Sequence, residues 1–105
     1  FVWPARHFAA YTDDPTFPPM GQHFRLKASV DISGFSLQVQ VLLRAMKEYG
    51  MILSDNGGNW YVSGALDNRW TSSLASEFTR LHGSDFEAVD VSSLMINPDS
   101  GQAKQ

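Results

Sequence analysis

The chain has 105 residues, 43% of them hydrophobic and 12% aromatic, with eight basic against eleven acidic side chains and a net charge of -3. That size suits one domain rather than two, and the aromatic content excludes a wholly disordered chain. The acidic balance excludes a general nucleic-acid binder, which needs a dense basic face. No apolar run approaches the ~20 residues that span a bilayer. With no cysteine, disulfides, thiolate metal sites and cysteine nucleophiles are excluded together.

The chain opens Phe1-Val2-Trp3-Pro4 without Met or a charged-then-apolar leader, as expected of a processed chain or a piece of a longer one. Val2 to Phe8 predicts an opening strand, at an edge because Pro4 has no N–H to donate. Pro15, Pro18 and Pro19 with Asp13 and Asp14 predict a long connection from Tyr11 to Met20. From Gln22 to Ile32 the residues Phe24, Leu26, Ala28, Val30 and Ile32 share one parity. His23, Arg25, Lys27, Ser29 and Asp31 share the other, so the spacing predicts a strand with one buried and one wet face.

Ser33-Gly34-Phe35-Ser36 breaks the alternation, and Ser36 is placed to cap a helix. Val39, Leu42, Leu43, Met46 and Tyr49 recur at helical spacing, and Gly50 stands where a glycine ends such a helix. Met51-Ile52-Leu53, the turn Asp55-Asn56-Gly57-Gly58 and Trp60-Tyr61-Val62 read as a β-hairpin. Leu74, Phe78 and Leu81 predict a second helix, capped by Thr71 and stopped by Gly83. Phe86, Ala88 and Val91 predict a closing strand. The order β-β-α-β-β-α-β predicts an α+β fold: a small mixed sheet or a six-stranded barrel, with two short helices. Residues 1–94 read as a single globular domain and 95–105 as a flexible tail.

Pro19-Met20-Gly21 before a strand, Ser54-Asp55-Asn56-Gly57-Gly58 after a helix and Gly64-Ala65-Leu66-Asp67 further on form a sequence of motifs. Together they resemble the three-aspartate domain of peptidoglycan lytic enzymes, a double-psi β-barrel. Met20 stands in place of Leu, Asn56 in place of Thr, and the spacing before Asp67 is longer than in that family. The resemblance covers about half the chain and implies Asp55 as the structural aspartate and Asp67 as the catalytic acid. The chain is also similar to the C-terminal part of uncharacterised secreted bacterial proteins. Val2-Trp3-Pro4-Ala5-Arg6-His7, Leu26-Lys27-Ala28-Ser29, Asp31 to Phe35 and Tyr49-Gly50-Met51-Ile52 carry that similarity. It implies a secreted or periplasmic location and residues upstream, but no activity.

Glycosidic cleavage needs a carboxylic acid to protonate the leaving oxygen, usually opposite a second carboxylate. The acid must keep its proton near neutral pH, which burial beside an apolar ring achieves. Asp67 lies three residues before Trp70 and seven after Trp60, so a ring is within sequence reach. Turn chemistry explains the same residues: Asp67-Asn68 is a loop dipeptide and Asp55-Asn56-Gly57-Gly58 a turn in its own right. Exposed rings stack on the apolar faces of sugars, which makes Trp60, Tyr61 and Trp70 candidate substrate-binding residues. In a hairpin Trp60 and Val62 share one face and Tyr61 and Ser63 the other, so Trp60 is equally a core residue.

Arg25, on the wet face of the long strand with His23, Lys27 and Asp31, is a further sugar contact or simply a solvated side chain. A site of His7, His23 and Asp31 lacks the H-x-H or H-E-x-x-H spacing of zinc ligands, and no metal or cofactor is expected. His82, before Gly83, is explained by a helix end. Neither a G-x-S-x-G elbow nor a phosphate-cradling glycine loop is present.

The expected function is therefore an extracytoplasmic polysaccharide-active domain, with Asp67 as general acid and Asp55 holding its loop. Arg25, Trp60, Tyr61 and Trp70 would meet a polymer of cellulose, chitin or peptidoglycan type. A non-catalytic carbohydrate-binding module, and a structural or interaction fragment that pairs as a homodimer through an exposed strand edge, are the alternatives.

Overall fold

An alternating strand buries its apolar face only where neighbouring strands and a covering helix meet it. The computed structural model describes residues 1–105, and in it β1 (His23–Leu26) is that central strand. It is flanked by β2 (Met51–Ile52) and β3 (Phe86–Val89), both antiparallel to it. β2 pairs His23 with Ile52 and Phe24 with Met51. β3 runs the full length of β1, from His23 opposite Val89 to Leu26 opposite Phe86. Helices α1 (Leu37–Glu48) and α2 (Leu74–Phe78) complete a small α+β fold.

The sheet is open and has three strands, where the sequence reading counts five or six and a barrel. Two expected strands are missing. Val2 to Phe8 forms none; its Val2 N–H donates to the Met20 carbonyl at 2.8 Å and no ladder follows. Trp60-Tyr61-Val62 forms none either: Met51 and Ile52 pair with β1, and their outer edge stays unpaired. The long strand also stops early. Beyond Leu26, β3 has ended, and the chain turns at residues 28–30 with the Ala28 and Val30 carbonyls accepting the Lys47 ammonium. Val30 and Ile32 still pack on the core, so their apolar parity was real while their strand was not.

Helix α1 buries Val39, Leu43 and Met46 of the predicted stripe; Leu42 is half-buried, and Tyr49, the C-cap residue, is exposed. Ser36 is its N-cap residue, yet its side chain does not cap. Its N–H and hydroxyl both donate to the Glu77 carboxylate at 2.7 Å, which ties the start of α1 to α2. Gly50 ends the helix at φ +75°. A Cβ there would lie 2.4 Å from the Phe24 carbonyl oxygen, so only glycine lets the chain turn back onto β1. Leu26 and Phe86 from the sheet, Phe35, and Phe78 and Leu81 from the α2 region close the same core. Each such side chain contributes about 1.5–3 kcal/mol by leaving water.

That core is small for the chain. Nine apolar side chains are buried, while fifteen large hydrophobic ones are exposed. The radius of gyration is 15.0 Å, against about 13 Å for a well-packed domain of this length. The last residues fold back: Met95 bridges to Ala103, and the Trp3 indole donates to the Ser100 carbonyl at 2.9 Å. No helix is long and apolar enough to cross a membrane.

Candidate functional site

The segment between β2 and α2 carries most of the residues expected to act. Its first turn is held locally. The Asp55 carboxylate accepts the Asn56 N–H at 2.7 Å, and the Asn56 amide donates to the Ala9 carbonyl at 2.6 Å. Asp55 is exposed and serves the turn.

Asp67 forms an Asx turn of its own. Its Oδ1 accepts the Arg69 N–H at 2.8 Å and Nε at 2.9 Å, and its Oδ2 accepts Nη2 at 2.6 Å. The Arg69 side chain, with its N–H, holds this carboxyl below its ordinary value. Asp67 is therefore an ionised carboxylate at neutral pH, the opposite of the protonated state a general acid needs. Trp70 closes the same loop, its indole donating to the Ala65 carbonyl at 3.0 Å. Gln38 of α1 anchors the loop by donating to the Arg69 carbonyl and accepting from Thr71.

Trp60 is turned inward. Its ring stacks on Phe86 at 4.0 Å with planes 7° apart and meets Phe24 edge-on at 5.8 Å. It holds a left-handed backbone, φ 57°, which costs a non-glycine residue about 1–2 kcal/mol. Aromatic pairs of this kind return about 0.5–1.5 kcal/mol each beyond their buried area, so two of them offset the strain. The consequence lies at the next residue. Tyr61 is 82% exposed and its ring lies over Gly58, where a Cβ would come within 2.8 Å of the phenol carbon Cζ. Glycine at 58 is what allows the ring to lie against the turn.

Beside these two rings is a cleft of about 590 Å³. Residues 59–63 form one wall; Leu74, Ala75, Phe78 and Thr79 of the α2 region and Leu81 to Gly83 form the other. Trp60 and Tyr61 line it, whereas Asp55, Asp67, Trp70 and Arg25 do not. Arg25 instead pairs across the strands with Glu87, donating from Nε at 2.9 Å and Nη2 at 2.7 Å on the open face of the sheet. Sequence reasoning missed Thr79 and His82 as cleft residues. The stripe Leu74, Phe78, Leu81 read as core, and all three serve both core and cleft, Phe78 and Leu81 buried and Leu74 half-buried.

The histidines stay apart from one another. His82 leads into the 3-10 turn Gly83–Asp85 rather than ending a helix, with Nδ1 3.8 Å from the Asp85 carboxylate. His23 lies in β1 and lines a second hollow of about 420 Å³ with Trp3, Gln22 and Asp90. No three His, Asp or Glu side chains gather closely enough to hold a metal ion. Comparisons with protein-family models, with curated proteins and with solved structures find no match to this chain, so the functional reading rests on the geometry of the Trp60–Tyr61 cleft.

Proposed function

We propose that this protein is a non-catalytic carbohydrate-binding domain whose platform is the Tyr61 ring at the mouth of the Trp60 cleft. One observation carries the reading: a tyrosine ring backed by a glycine turn and open to solvent, beside a cleft of mixed apolar and polar lining. A sugar ring presents an apolar face of C–H groups that stacks on such a ring, while its hydroxyls need polar rims. Binding rather than cleavage is favoured because the one expected acid, Asp67, is ionised by Arg69 and lies outside the cleft lining. Polysaccharides of the cellulose, chitin or peptidoglycan type lie outside the cytoplasm, which accords with a secreted or periplasmic location.

Retention on insoluble cellulose and chitin, with an assay for soluble sugar, tests this. The chain is expected to be retained without releasing product, and Tyr61→Ala to lose retention by about tenfold, the order of one stacked ring. The melting temperature should hardly move, because Tyr61 covers no core residue. A chain that ignores every polymer, or that releases soluble fragments, overturns the proposal.

A second reading has its own observation, the fifteen exposed large hydrophobic side chains. They favour self-association, with a second copy pairing against the free edge of β3, a four-residue strand with β1 as its one neighbour. Light scattering decides: a monomer at high concentration removes this reading and leaves the first.

A further inference from the structure

Resting on the carbohydrate-binding reading, we propose that the cleft selects glycans of N-acetylated hexosamines over plain glucans. Eight basic and eleven acidic residues are present in the chain, yet no Asp, Glu, Lys or Arg lines the cleft. His82, the one lining side chain that can turn cationic, has the Asp85 carboxylate 3.8 Å away, so the lining favours a ligand without net charge at this subsite.

The α2 side of the cleft is largely apolar: Leu74, Ala75, Phe78 and Leu81 outnumber Thr79 and His82 there, and Val62 adds to it from the 59–63 loop. A glucose unit presents hydroxyls around its whole rim. Set against this wall, each hydroxyl would lose water without gaining a partner, a penalty that works against binding. An acetamido group replaces one hydroxyl with a methyl, which such a wall accepts, and with one N–H and one carbonyl.

The polar positions fit that pair. Thr79 lines the cleft and its hydroxyl donates its proton to the Ser76 carbonyl at 2.6 Å, so toward a ligand that hydroxyl can act only as an acceptor. An amide N–H is the complementary group. Asn59, whose amide N–H₂ can donate, also lines the cleft and suits the acetamido carbonyl. A methyl-accepting wall, an acceptor-only hydroxyl and a donor on the opposing loop together describe an acetamido subsite beside the Tyr61 platform.

Titration of the full chain with the β-1,4 hexamers of N-acetylglucosamine and of glucose, followed by amide NMR shifts, tests the inference. The acetylated hexamer is expected to bind about tenfold tighter or more. Thr79→Val should weaken it to the level of the glucose hexamer while leaving the latter unchanged, and Thr79→Ser, which keeps the acceptor, should restore the preference. Melting curves confirm that both variants fold. Equal affinity for the two hexamers, or a preference that survives Thr79→Val, overturns the selectivity and leaves the carbohydrate reading standing. If neither hexamer shifts residues 59–63 or 74–83, both fall together.

Discussion

The half of the molecule built from β1, β3 and α1 and the segment between β2 and α2 solve the same problem differently. In the first, backbone groups pair along the β1–β3 ladder and within α1, and Leu26, Val39 and Leu43 are sealed from water. In the second, no ladder forms, and Asp55, Asp67 and Gln38 satisfy the backbone through short turns and one long-range tether. Tyr61, Val62 and Leu66 are left exposed there. Burial in the first half provides stability, and the second half adds little to it beyond the Trp60 ring, so the Tyr61 ring stays open to solvent.

The sharpest way to break this contrast is to hollow out the first half. Leu43 is fully buried between α1 and the sheet, and Leu43→Ala is expected to cost about 2–5 kcal/mol through lost burial and the cavity left behind. A thermal melt by circular dichroism checks it. A loss under about 1 kcal/mol would mean that the core is no better packed than the loop.

A smaller effect tests the tie between the two helices. The Ser36 N–H and hydroxyl hold the Glu77 carboxyl below its ordinary value. A carboxyl with a lowered folded value contributes stability that is present above its unfolded value of 4.5 and is lost as pH falls through the folded one. The melting temperature should therefore fall with pH below about 4.5, and Glu77→Gln should flatten part of that fall. Asp14, Asp31 and Asp90, each lowered by its own turn hydrogen bonds, and Asp67, lowered first by the Arg69 side chain, act in the same direction. An unchanged slope in Glu77→Gln would show that the tie is absent in solution.

The smallest effect is expected at Asp67. Asp67→Asn keeps an Oδ1 acceptor for the Arg69 N–H and gives up only an exposed ion pair with Arg69, a type that contributes little. Neither glycan retention nor the melting temperature should change measurably. Loss of a glycan-cleaving activity in this variant would return Asp67 to the centre of the mechanism.

Particular residues show how far sequence reasoning reached. Helix α1 was legible because Val39, Leu43 and Met46 repeat every turn and Gly50 marks the end. Its first contact was not, since Ser36 looks like an ordinary cap and instead serves Glu77, 41 residues away. Trp60 and Tyr61 were legible as aromatic candidates. Which of them faces water depended on a hairpin that does not form, and the outcome was set by Phe86 and Gly58. Arg25 reads as a sugar contact or a solvated side chain, and its cross-strand partner Glu87, 62 residues away, was not legible.

Local periodicity and turn chemistry determined the α+β class, the place of α1, the apolar parity of β1 and the loop character of Asp55 and Asp67. These depend on neighbours within a few residues, which one sequence contains. Tertiary structure alone decided that three strands pair rather than five or six, and settled Trp60 in the core, one of its two readings by sequence, while Tyr61 stays out. It also decided that Asp67 answers to Arg69 and that the α2 region walls a cleft. Strand pairing, ring stacking and cleft formation are choices among distant partners that compete for one another, and adjacent residues carry no record of which partner wins.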